Sequence, residues 1–556
     1  MLEPHRFYYL HNFRRALDWI TQRYADLLSA EELQFLQGFD ALPQPAQALL
    51  VRMLMRRGPW FRASRLVYEE IPELDAAAAP LLALGWLDGD APMAVDELFA
   101  LHTKAELQPL LVELGLPAAA RKGDALQAAQ QAWSETRPHA QWLPATGESG
   151  REGVWRITVA RLCERFRLMF FGNLHQDWSE FVLADLGIFR YESVDFDAAS
   201  RAFQSRDDVE RYLALHACRQ AVAEGGDAEA LLQALAACES GNAWLEKRRA
   251  KILLRLGQAC ERAQDWQQAQ RVYALCAYPG SRHRRIRVHE RLAQFEQALA
   301  LAREAGEAPE SEEESQRIAR MLPRLQRQAG LPRTDAAPTA ATTIEREECE
   351  LPRPEGLPVE FALAAHLRTP GASVHYVENA LINSLFGLLC WPAIFAPLPG
   401  AFFHPFQRGP ADLAAPDFAQ RRAPWLNASL AELDTDAWRE TILRRYADKA
   451  GIQSPFVFWG TLTEELLREA LHCIPAAHLK LFFTRLLRDV QANRTGLPDL
   501  VRFWPGRPPG AERYALVEVK APGDKLQDNQ IRWLRYCASH GLPVRVCHVR
   551  WSEAPS

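Results

Sequence analysis

Two segments decide the fold of the C-terminal part of this chain: Gly496–Val501, which reads GLPDLV, and Tyr514–Lys520, which reads YALVEVK. The second segment is rich in β-branched, aromatic and other apolar residues, which predicts a β-strand. Because side chains alternate along a strand, Leu516, Glu518 and Lys520 share one face, and the two valines between them share the other. A carboxylate and an ammonium therefore point the same way from an apolar strand. Such a pair is costly to bury unless each charge has a partner.

Two interpretations of these charges are open. A divalent cation bridging Asp499 and Glu518, with a phosphate beside Lys520, would supply the partners. The alternative is an edge strand that carries a solvated ion pair. The order Pro-Asp, a spacer and then Glu-x-Lys resembles the PD-(D/E)xK nuclease motif, which favours the first interpretation.

The residues after Lys520 support the nuclease interpretation. A turn over 521–524 leads into a predicted helix over about 525–540, and the segment 543–549 predicts another strand. One face of that helix is formed by Leu526, Gln530, Trp533 and Cys537. Gln530 is therefore the polar exception on a buried stripe, close in sequence to Lys520.

The runs GLPDLV, LVEVKAPGDKLQDNQIRWL and VRVCHV closely resemble the virus-type replication-repair (VRR) nuclease domain, and more narrowly the Fanconi-associated nuclease family. In that family GLPDLV and LVEVK-x-P-x-D-x-L are followed by Q-x-x-W. The resemblance implies four catalytic residues, Lys520, Glu518, Asp499 and Gln530. It also implies a metal held by Glu378, Asp499, Glu518 and the Val519 carbonyl. Hard oxygen ligands of this kind select Mg²⁺ or Mn²⁺ over Zn²⁺.

The assignment of Glu378 depends most on this resemblance. The segment 373–390 predicts a helix that carries Glu378 on its apolar stripe. The run NSLFGLLCW that follows resembles the family's FxxLYGLLLW, and Glu378 matches the family's early metal-binding glutamate. Alternatively, a lone glutamate at this position would reach solvent or a buried arginine.

The amino-acid composition limits the classes of protein to which this chain can belong. Hydrophobic residues make up 48% of the 556 residues and charged residues 24%, which is typical of a soluble globular protein. The net charge of −5 means that a nucleic-acid surface must come from local basic patches. The 10 cysteines form no C-x-x-C pair, so we expect a reducing compartment and no zinc module, including the ubiquitin-binding zinc finger of eukaryotic members. We find no signal peptide and no membrane span, and expect a bacterial member that is cytoplasmic and nucleoid-associated when acting.

We predict a multidomain, mostly α-helical protein that ends in an α/β nuclease core of the PD-(D/E)xK type. The expected order is a helical, winged-helix-like domain over 1–90, a SAP-like DNA-binding module over 91–135, a tetratricopeptide-like helical array over 151–330, a linker over 331–358 and a VRR-type nuclease domain over 359–556. In the SAP-like module an ordinary helical hairpin is the alternative. For the array, the Leu-Gly and small-residue pattern of 250–276 is the main evidence.

Local runs of basic residues mark the predicted DNA contacts. Arg121 and Lys122 open a helix, where backbone N–H groups favour a phosphate. The run over 281–291 has five arginines and two histidines against one glutamate. The predicted DNA-binding residues are Arg121, Lys122, Arg282, Arg284, Arg285, Arg287, Arg494 and Lys525. A solvated helix face is the competing explanation of any such charge run.

The resemblance implies a structure-selective, metal-dependent DNA nuclease: a 5′-flap endonuclease with 5′→3′ exonuclease activity, of the phosphodiesterase I type. It implies action in DNA repair, including repair of interstrand crosslinks, on branched or flapped duplex DNA. No small-molecule cofactor is expected. Two alternatives stay open, a non-catalytic scaffold that binds branched DNA and a junction-resolving or restriction-type nuclease.

Overall fold

The computed structural model describes residues 6–117, 119–143, 153–178, 189–332, 344–353 and 356–552. The chain divides into two compact units, Met1–Phe189 and Arg190–Ser556. Among the helices that these ranges contain, none is both long and apolar enough to cross a membrane.

The N-terminal unit is mostly helical, as the composition of its sequence predicts. Its helices are α1 (Tyr8–Tyr24), α2 (Ala30–Ala41), α3 (Gln44–Leu54), α4 (Leu74–Ala83), α5 (Val95–Leu101), α6 (Gln108–Glu113), α7 (Lys122–Ala132), α8 (His139–Trp142) and α9 (Ala160–Phe171). Its strands are β1 (Trp60–Arg62), β2 (Leu87–Asp88), β3 (Pro92–Met93), β4 (Arg137–Pro138) and β5 (Val154–Ile157). The strands form an antiparallel sheet of order β1-β5-β2 and a separate β3-β4 hairpin.

The predicted boundary at residue 151 does not separate two folding units. Strand β5 lies between β1 and β2, so it completes the sheet that begins within the first ninety residues. Helix α9 packs on the same unit through Phe166, whose ring lies 5.6 Å from that of Phe35. Its Arg165 also forms ion pairs with Glu31 and Glu32 of α2. The central strand of this sheet, β5, follows the SAP-like segment in the chain, whereas the two outer strands precede it.

The SAP-like segment packs around a hydrophobic core to which α5, α6 and α7 contribute Leu98, Leu111 and Ala125. Strands β1 and β5 add Trp60 and Val154 to the same core. Trp142 also belongs to this core, and its indole Nε1–H donates to the Met93 carbonyl at 3.1 Å. The packed segment therefore extends past the predicted end at residue 135.

The second unit begins with the predicted helical array. Its helices are α10 (Arg206–Ala223), α11 (Ala228–Ala237), α12 (Ala243–Arg262), α13 (Trp266–Ala274), α14 (Ser281–Arg291), α15 (Phe295–Glu307) and α16 (Glu312–Gln328). The Leu-Gly pattern has a steric reason, because a Cβ on Gly257 would lie 2.5 Å from the ring of Tyr273. Glycine thus lets α12 and α13 approach closely, and the predicted hairpin is confirmed.

The nuclease core is a five-stranded mixed sheet of order β6-β10-β9-β8-β7. Its strands are β6 (Glu345–Pro352), β7 (Ser373–Tyr376), β8 (Leu500–Phe503), β9 (Tyr514–Lys520) and β10 (Val544–Ser552). Strands β6, β10 and β9 are parallel, whereas β9, β8 and β7 are antiparallel neighbours. The helices around the sheet are α17 (Val359–Leu367), α18 (Leu381–Leu389), α19 (Trp391–Ile394), α20 (Phe418–Arg421), α21 (Ala423–Ala431), α22 (Ala437–Asp448), α23 (Glu464–Cys473), α24 (Ala476–Arg488), α25 (Val490–Asn493) and α26 (Asp528–Ser539).

The two faces of β9 pack as the alternation predicts. Leu516 belongs to the large core that also contains Trp533 of α26. Val517 and Val519 belong to a smaller core on the other face, together with Leu363 of α17. Glu518 and Lys520 therefore lie on the face that α26 covers.

The linker predicted over 331–358 is wrong for part of its length. Residues 345–352 form β6, which pairs along its whole length with β10 at the edge of the sheet. Four of its eight residues are glutamates, because an edge strand leaves most of its side chains in solvent. Residues 333–343 and 354–355 of the same prediction lie outside the described residues.

The continuous helix predicted over 373–390 is also wrong. Residues 373–376 form strand β7, and the helix α18 begins only at Leu381. Between them Asn379 takes a left-handed conformation, with φ of 53°. Asparagine tolerates this conformation better than most residues, and it turns the chain from the strand into the helix.

Candidate active site

Asp499 lies where three elements of the nuclease core meet. It directly precedes β8 and is 8% exposed. Its carboxylate Oδ2 accepts a hydrogen bond of 2.8 Å from the Val519 main-chain N–H of β9. Its carbonyl accepts another of 2.8 Å from the N–H of Val377, just after β7. The first bond holds the Asp499 carboxylate against β9, which carries Lys520. The second holds its main chain against the residue just before Glu378.

Glu518 is a buried carboxylate with few partners. It is 0% exposed, and among the described residues only Lys520 brings a donor near its oxygens. Its one compensating charge is the Lys520 ammonium, which forms an ion pair with Oε1 at 2.9 Å. Burial, and then the charge of Asp499, raise the pKa of Glu518 to about 7. Burial likewise raises the pKa of Asp499 to about 6, with the charge of Glu378 adding to it.

Gln530 holds Lys520 in place. The Lys520 ammonium donates to the Gln530 Oε1 at 3.1 Å. The same oxygen accepts the main-chain N–H of Gln527 at 2.9 Å, as part of a capping box at the start of α26. The helix therefore begins at Asp528 with Gln527 as its cap, later than the predicted start at about residue 525. The position of Gln530 beside Lys520 is the one expected from the sequence.

Glu378 lies in the turn between β7 and α18 and is exposed. Its Oε2 accepts a hydrogen bond of 2.5 Å from the Tyr376 hydroxyl. It is near enough to the other two carboxylates for its charge to raise the pKa of both Asp499 and Glu518. The structure thus brings Glu378 to the site by a strand and a turn, where the sequence predicts a helix.

The carboxylates fit a divalent cation, although they do not form a complete cage. Within the described ranges, no group of three or more His, Cys, Asp or Glu side chains is arranged to hold a metal ion. The buried oxygens of Glu518 nevertheless have no donor other than Lys520 among the described residues, and the neighbouring Asp499 carboxylate adds to the negative charge. A cation that binds oxygen ligands, such as Mg²⁺ or Mn²⁺, would coordinate the Glu518 oxygens and offset the negative charge of the carboxylates.

Two asparagines that the sequence analysis did not single out join the parts of the site. Asn379 accepts a hydrogen bond of 3.1 Å from the Leu497 main-chain N–H through its side-chain Oδ1. The side chain of Asn383 donates to the Asn379 carbonyl at 2.6 Å and to the Arg494 carbonyl at 2.9 Å. The turn of Glu378 and the loop of Asp499 are thereby tied together. In the sequence, the position of Asn379 directly after Glu378 is the feature that could have indicated this role.

Three of the predicted DNA-binding arginines are engaged inside the protein. Arg282 forms an ion pair of 2.5 Å with Glu314, and Arg284 forms one of 3.0 Å with Glu261. Arg494 donates to the Pro455 carbonyl and stacks 5.0 Å from the ring of Phe456. The charge run of α14 therefore connects helices of the array, since its partners come from α12 and α16. The contact of these arginines with DNA stays a prediction.

The other predicted DNA contacts are more accessible. Arg121, Lys122, Arg287 and Lys525 are exposed, whereas Arg285 is half-buried. The Lys122 ammonium donates to the His102 carbonyl at 2.7 Å. Their contact with DNA stays a prediction.

Three known domain families match the sequence. Residues 7–88 match the FAN1 HTH domain, residues 92–142 match the Fanconi anemia-associated nuclease SAP domain, and residues 434–551 match the VRR-NUC domain. The domain order is the one that the sequence predicts.

Curated relatives match along nearly the whole chain. A Fanconi-associated nuclease 1 homolog of Pseudomonas aeruginosa is 52% identical over 549 residues, which cover 99% of this chain and 96% of that protein. The Fanconi-associated nuclease 1 of Homo sapiens is 23% identical over 644 residues, which cover 98% of this chain but 62% of that longer protein. A solved structure, paFAN1 bound to 2-nucleotide 5′-flap DNA with a gap, superposes with a TM-score of 0.90. The two chains are 51% identical, and the superposition covers 100% of each.

Proposed function

The chain belongs to the Fanconi-associated nuclease family, and we propose that it cuts 5′-flapped duplex DNA at the site formed by Asp499, Glu518, Lys520 and Gln530. The family membership makes it a DNA nuclease with a VRR-NUC domain. The choice of a 5′ flap is supported by paFAN1, which is similar along its whole length and was crystallised with such a substrate. We further propose 5′→3′ exonuclease activity and a role in the repair of interstrand crosslinks.

The observation that carries the site assignment is the buried Glu518 carboxylate. Apart from the Lys520 ammonium 2.9 Å from Oε1, its oxygens have no hydrogen-bond donor among the described residues, and its pKa is raised to about 7. Burying such a group costs stability, and groups of this kind are found mainly where a function needs them. Asp499 and Lys520 lie beside it on the elements that the PD-(D/E)xK pattern specifies.

A VRR-NUC nuclease depends on a divalent metal, and we propose that Mg²⁺ or Mn²⁺ is held by Glu378, Asp499, Glu518 and the Val519 carbonyl. Such an ion would supply Lewis-acid activation of a water and neutralise charge on the scissile phosphate. The Val519 main-chain N–H fixes the Asp499 carboxylate through Oδ2.

Lys520 would stabilise the negative charge that develops on the phosphate during hydrolysis. Its ammonium is nearly buried and is held between Glu518 and Gln530 at 2.9 and 3.1 Å. A charge positioned before the reaction needs little reorganisation when the transition state forms, and it acts more strongly where water is excluded. Gln530 therefore fixes the position of Lys520 through Oε1, which is itself held by the α26 cap.

Cleavage of four substrates with and without Mg²⁺ tests the proposal: 5′-flap, 3′-flap, nicked and four-way-junction DNA. We expect cutting of the 5′ flap that requires the metal. Asp499→Ala, Glu518→Ala and Lys520→Ala should each abolish it while flap binding stays within about threefold, because affinity comes from phosphate contacts elsewhere. Glu348→Ala, at an exposed glutamate of β6, serves as the matched control and should cut like the parent.

Two results would contradict parts of this proposal. If Glu518→Ala cuts as fast as the parent in Mg²⁺, the site is misassigned. If the unmodified protein binds flaps and cuts none of the four substrates, it acts as a DNA-binding scaffold.

A further inference from the structure

A row of cations lies on one face of α12. Lys247, Arg248, Lys251 and Arg255 follow one another at 0, 1, 4 and 8 residues, so at 100° per residue they fall within one quarter to one third of the helix circumference. Arg219 of the neighbouring α10 adds a fifth charge, since it acts electrostatically on Arg248 and Lys251. We call these five residues the α12 row. Lys251 and Arg255 are exposed, and the other three are half-buried.

The α12 row is largely without compensating charge; the exception is Lys247, on which the charges of Asp417 and Asp412 act. Among the described residues, no carboxylate forms an ion pair with any of its five members, and none of them donates a hydrogen bond. Burial first, and then the charges of Arg255, Arg248 and Arg219, lower the pKa of Lys251. Burial, Arg219 and Arg255 likewise lower the pKa of Arg248. Like charges that depress each other in this way form a local excess of positive potential.

The lack of ion pairs distinguishes the α12 row from the arginine run of α14, in which the arginines lie closer together in the sequence. There Arg282 pairs with Glu314 and Arg284 with Glu261. A cation with a carboxylate partner gains little from a phosphate, because the existing pair must first be broken. An unpaired cation gains the full contact and releases the counterion that the phosphate had bound.

We propose that the α12 row is a binding surface for the phosphodiester backbone of the DNA substrate, a proposal that rests on the proposed function. From Lys247 to Arg255 the helix rises about 12 Å, a length over which duplex DNA carries about seven phosphates. The row offers enough charge to contact two or more of them at once.

The aromatic residues next to the row favour backbone contact over contact with bases. The guanidinium of Arg248 lies 4.0 Å from the ring centre of Tyr212 and 5.3 Å from that of Trp244. Tyr212 is buried and Trp244 is half-buried, so neither ring is open for a base to stack on. Stacking on aromatic faces is what single-strand binding proteins add to charge. The rings here instead fix the direction of Arg248.

The test compares two double variants that lose the same charge from the same array. Lys251→Ala with Arg255→Ala removes the two exposed cations of the row. The matched control, Arg206→Ala with Arg211→Ala, removes two cations of α10 that are paired with Glu210 and Asp207 at 2.7 Å each. Binding of metal-free protein to labelled 5′-flap DNA is measured by fluorescence anisotropy at several KCl concentrations. Circular dichroism melts verify that both variants fold.

We expect the row variant to lower the log–log salt slope by about one to two units, because each phosphate contact contributes about 0.9. The control should keep the slope of the parent. A further variant, Lys247→Gln with Lys251→Gln, keeps the side-chain stems and should reproduce the effect if the alanine variant folds poorly. Equal slopes in the row and control variants would overturn the proposal.

Separate substrates identify which part of the DNA is held. A changed slope on plain duplex assigns the row to a duplex arm, and a change seen only with the flap assigns it to the displaced strand. Single-turnover cleavage in Mg²⁺ at saturating protein should keep the parent rate, since the row shares no residue with the site. A parent protein that binds with the expected slope and cuts nothing would remove the proposed function and leave this proposal standing.

Discussion

The Leu497 main-chain N–H donates to the side-chain Oδ1 of Asn379 at 3.1 Å. This bond joins two segments that are 118 residues apart in the chain. One segment carries Glu378 and the other carries Asp499, so the distance between two candidate metal ligands depends on it. Second-shell contacts of this kind usually orient the ligands of a metal site.

Replacing Asn379 should therefore disturb the site without touching a ligand. We expect Asn379→Ala to lose at least about tenfold in cleavage rate and about 1–2 kcal/mol in stability, since it removes the acceptor and puts alanine, which tolerates a left-handed conformation less well than asparagine, at a φ of 53°. Asn379→Asp keeps an oxygen acceptor and should recover most of both losses. The positioning role also predicts weaker Mn²⁺ binding by Asn379→Ala, measured by calorimetry. If the alanine variant melts lower but binds Mn²⁺ like the parent, Asn379 supports only the fold.

Gly496 should tolerate no side chain. A Cβ there would lie 2.8 Å from the Asn529 carbonyl carbon, and its φ is 87°. Both effects act on Gly496→Ala, so we expect destabilisation of about 2–4 kcal/mol and a loss of cleavage. Gly506→Ala is the matched control, because nothing lies within 4 Å of a Cβ at that position. Thermal melts of the two variants compare them directly, and equal melting temperatures would contradict the close approach.

The buried carboxylate of Glu518 should make the metal-free protein less stable as the pH rises. Burial and the charge of Asp499 raise its pKa from 4.5 to about 7. Its contribution to stability is therefore complete below pH 4.5 and is lost as the pH rises through about 7, because in that window only the folded state keeps the proton. The shift corresponds to a loss on the order of 3 kcal/mol at pH 8.

Glu518→Gln removes this titration. We expect it to be more stable than the metal-free parent by about 1–2 kcal/mol at pH 8, since Lys520 loses its partner and offsets part of the gain. The difference should close towards pH 4.5, and cleavage should be absent at every pH. Urea melts in EDTA from pH 4.5 to pH 8 measure it, with Glu348→Gln as the exposed control. A constant difference across this range would mean that Glu518 does not titrate there.

Glu378→Gln tests the third carboxylate. Because Glu378 is exposed, the substitution should leave the melting temperature of the metal-free protein unchanged. In Mg²⁺ we expect cleavage to fall by at least about tenfold, since Mg²⁺ tolerates little change in its oxygen ligands, and Mn²⁺ should restore part of it. Full activity of Glu378→Gln in Mg²⁺ would place the third ligand elsewhere.

Tyr376→Phe provides the complementary change, because it frees the Glu378 carboxylate from the hydroxyl 2.5 Å away. If that hydrogen bond holds Glu378 away from the ion, Mn²⁺ should bind Tyr376→Phe at least as tightly as the parent. Weaker binding would show that the hydroxyl orients the ligand instead.

Much of the candidate site was predictable because its signals are local. Strand β9 has the predicted bounds, Tyr514–Lys520, and Gln530 lies beside Lys520 as the helical spacing predicts. The alternation of a strand and the period of a helix depend only on backbone geometry, so a few neighbouring residues suffice to recognise them. The three segments that match known domain families also follow one another in the order that the family resemblance implies.

Other elements were not predictable from neighbouring residues. The apolar residues around Glu378 fit a helix, yet 373–376 became a strand because β8 offers an antiparallel partner more than 120 residues later. Strand β6 looked like a linker because its glutamates face solvent at the sheet edge and its only partner, β10, is 200 residues away. Long-range pairing overrides local propensity in both cases.

The sequence by itself determined which residues we propose for the nuclease chemistry, since Asp499, Glu518 and Lys520 form one recognisable pattern. Only the tertiary structure decided which charges are free to act. Arg284 and Lys251 look alike in sequence, but Glu261 neutralises the first and no described carboxylate pairs with the second. The physical reason is that the energy of a charge depends on what folding places within a few ångströms of it, and those partners come from distant parts of the chain.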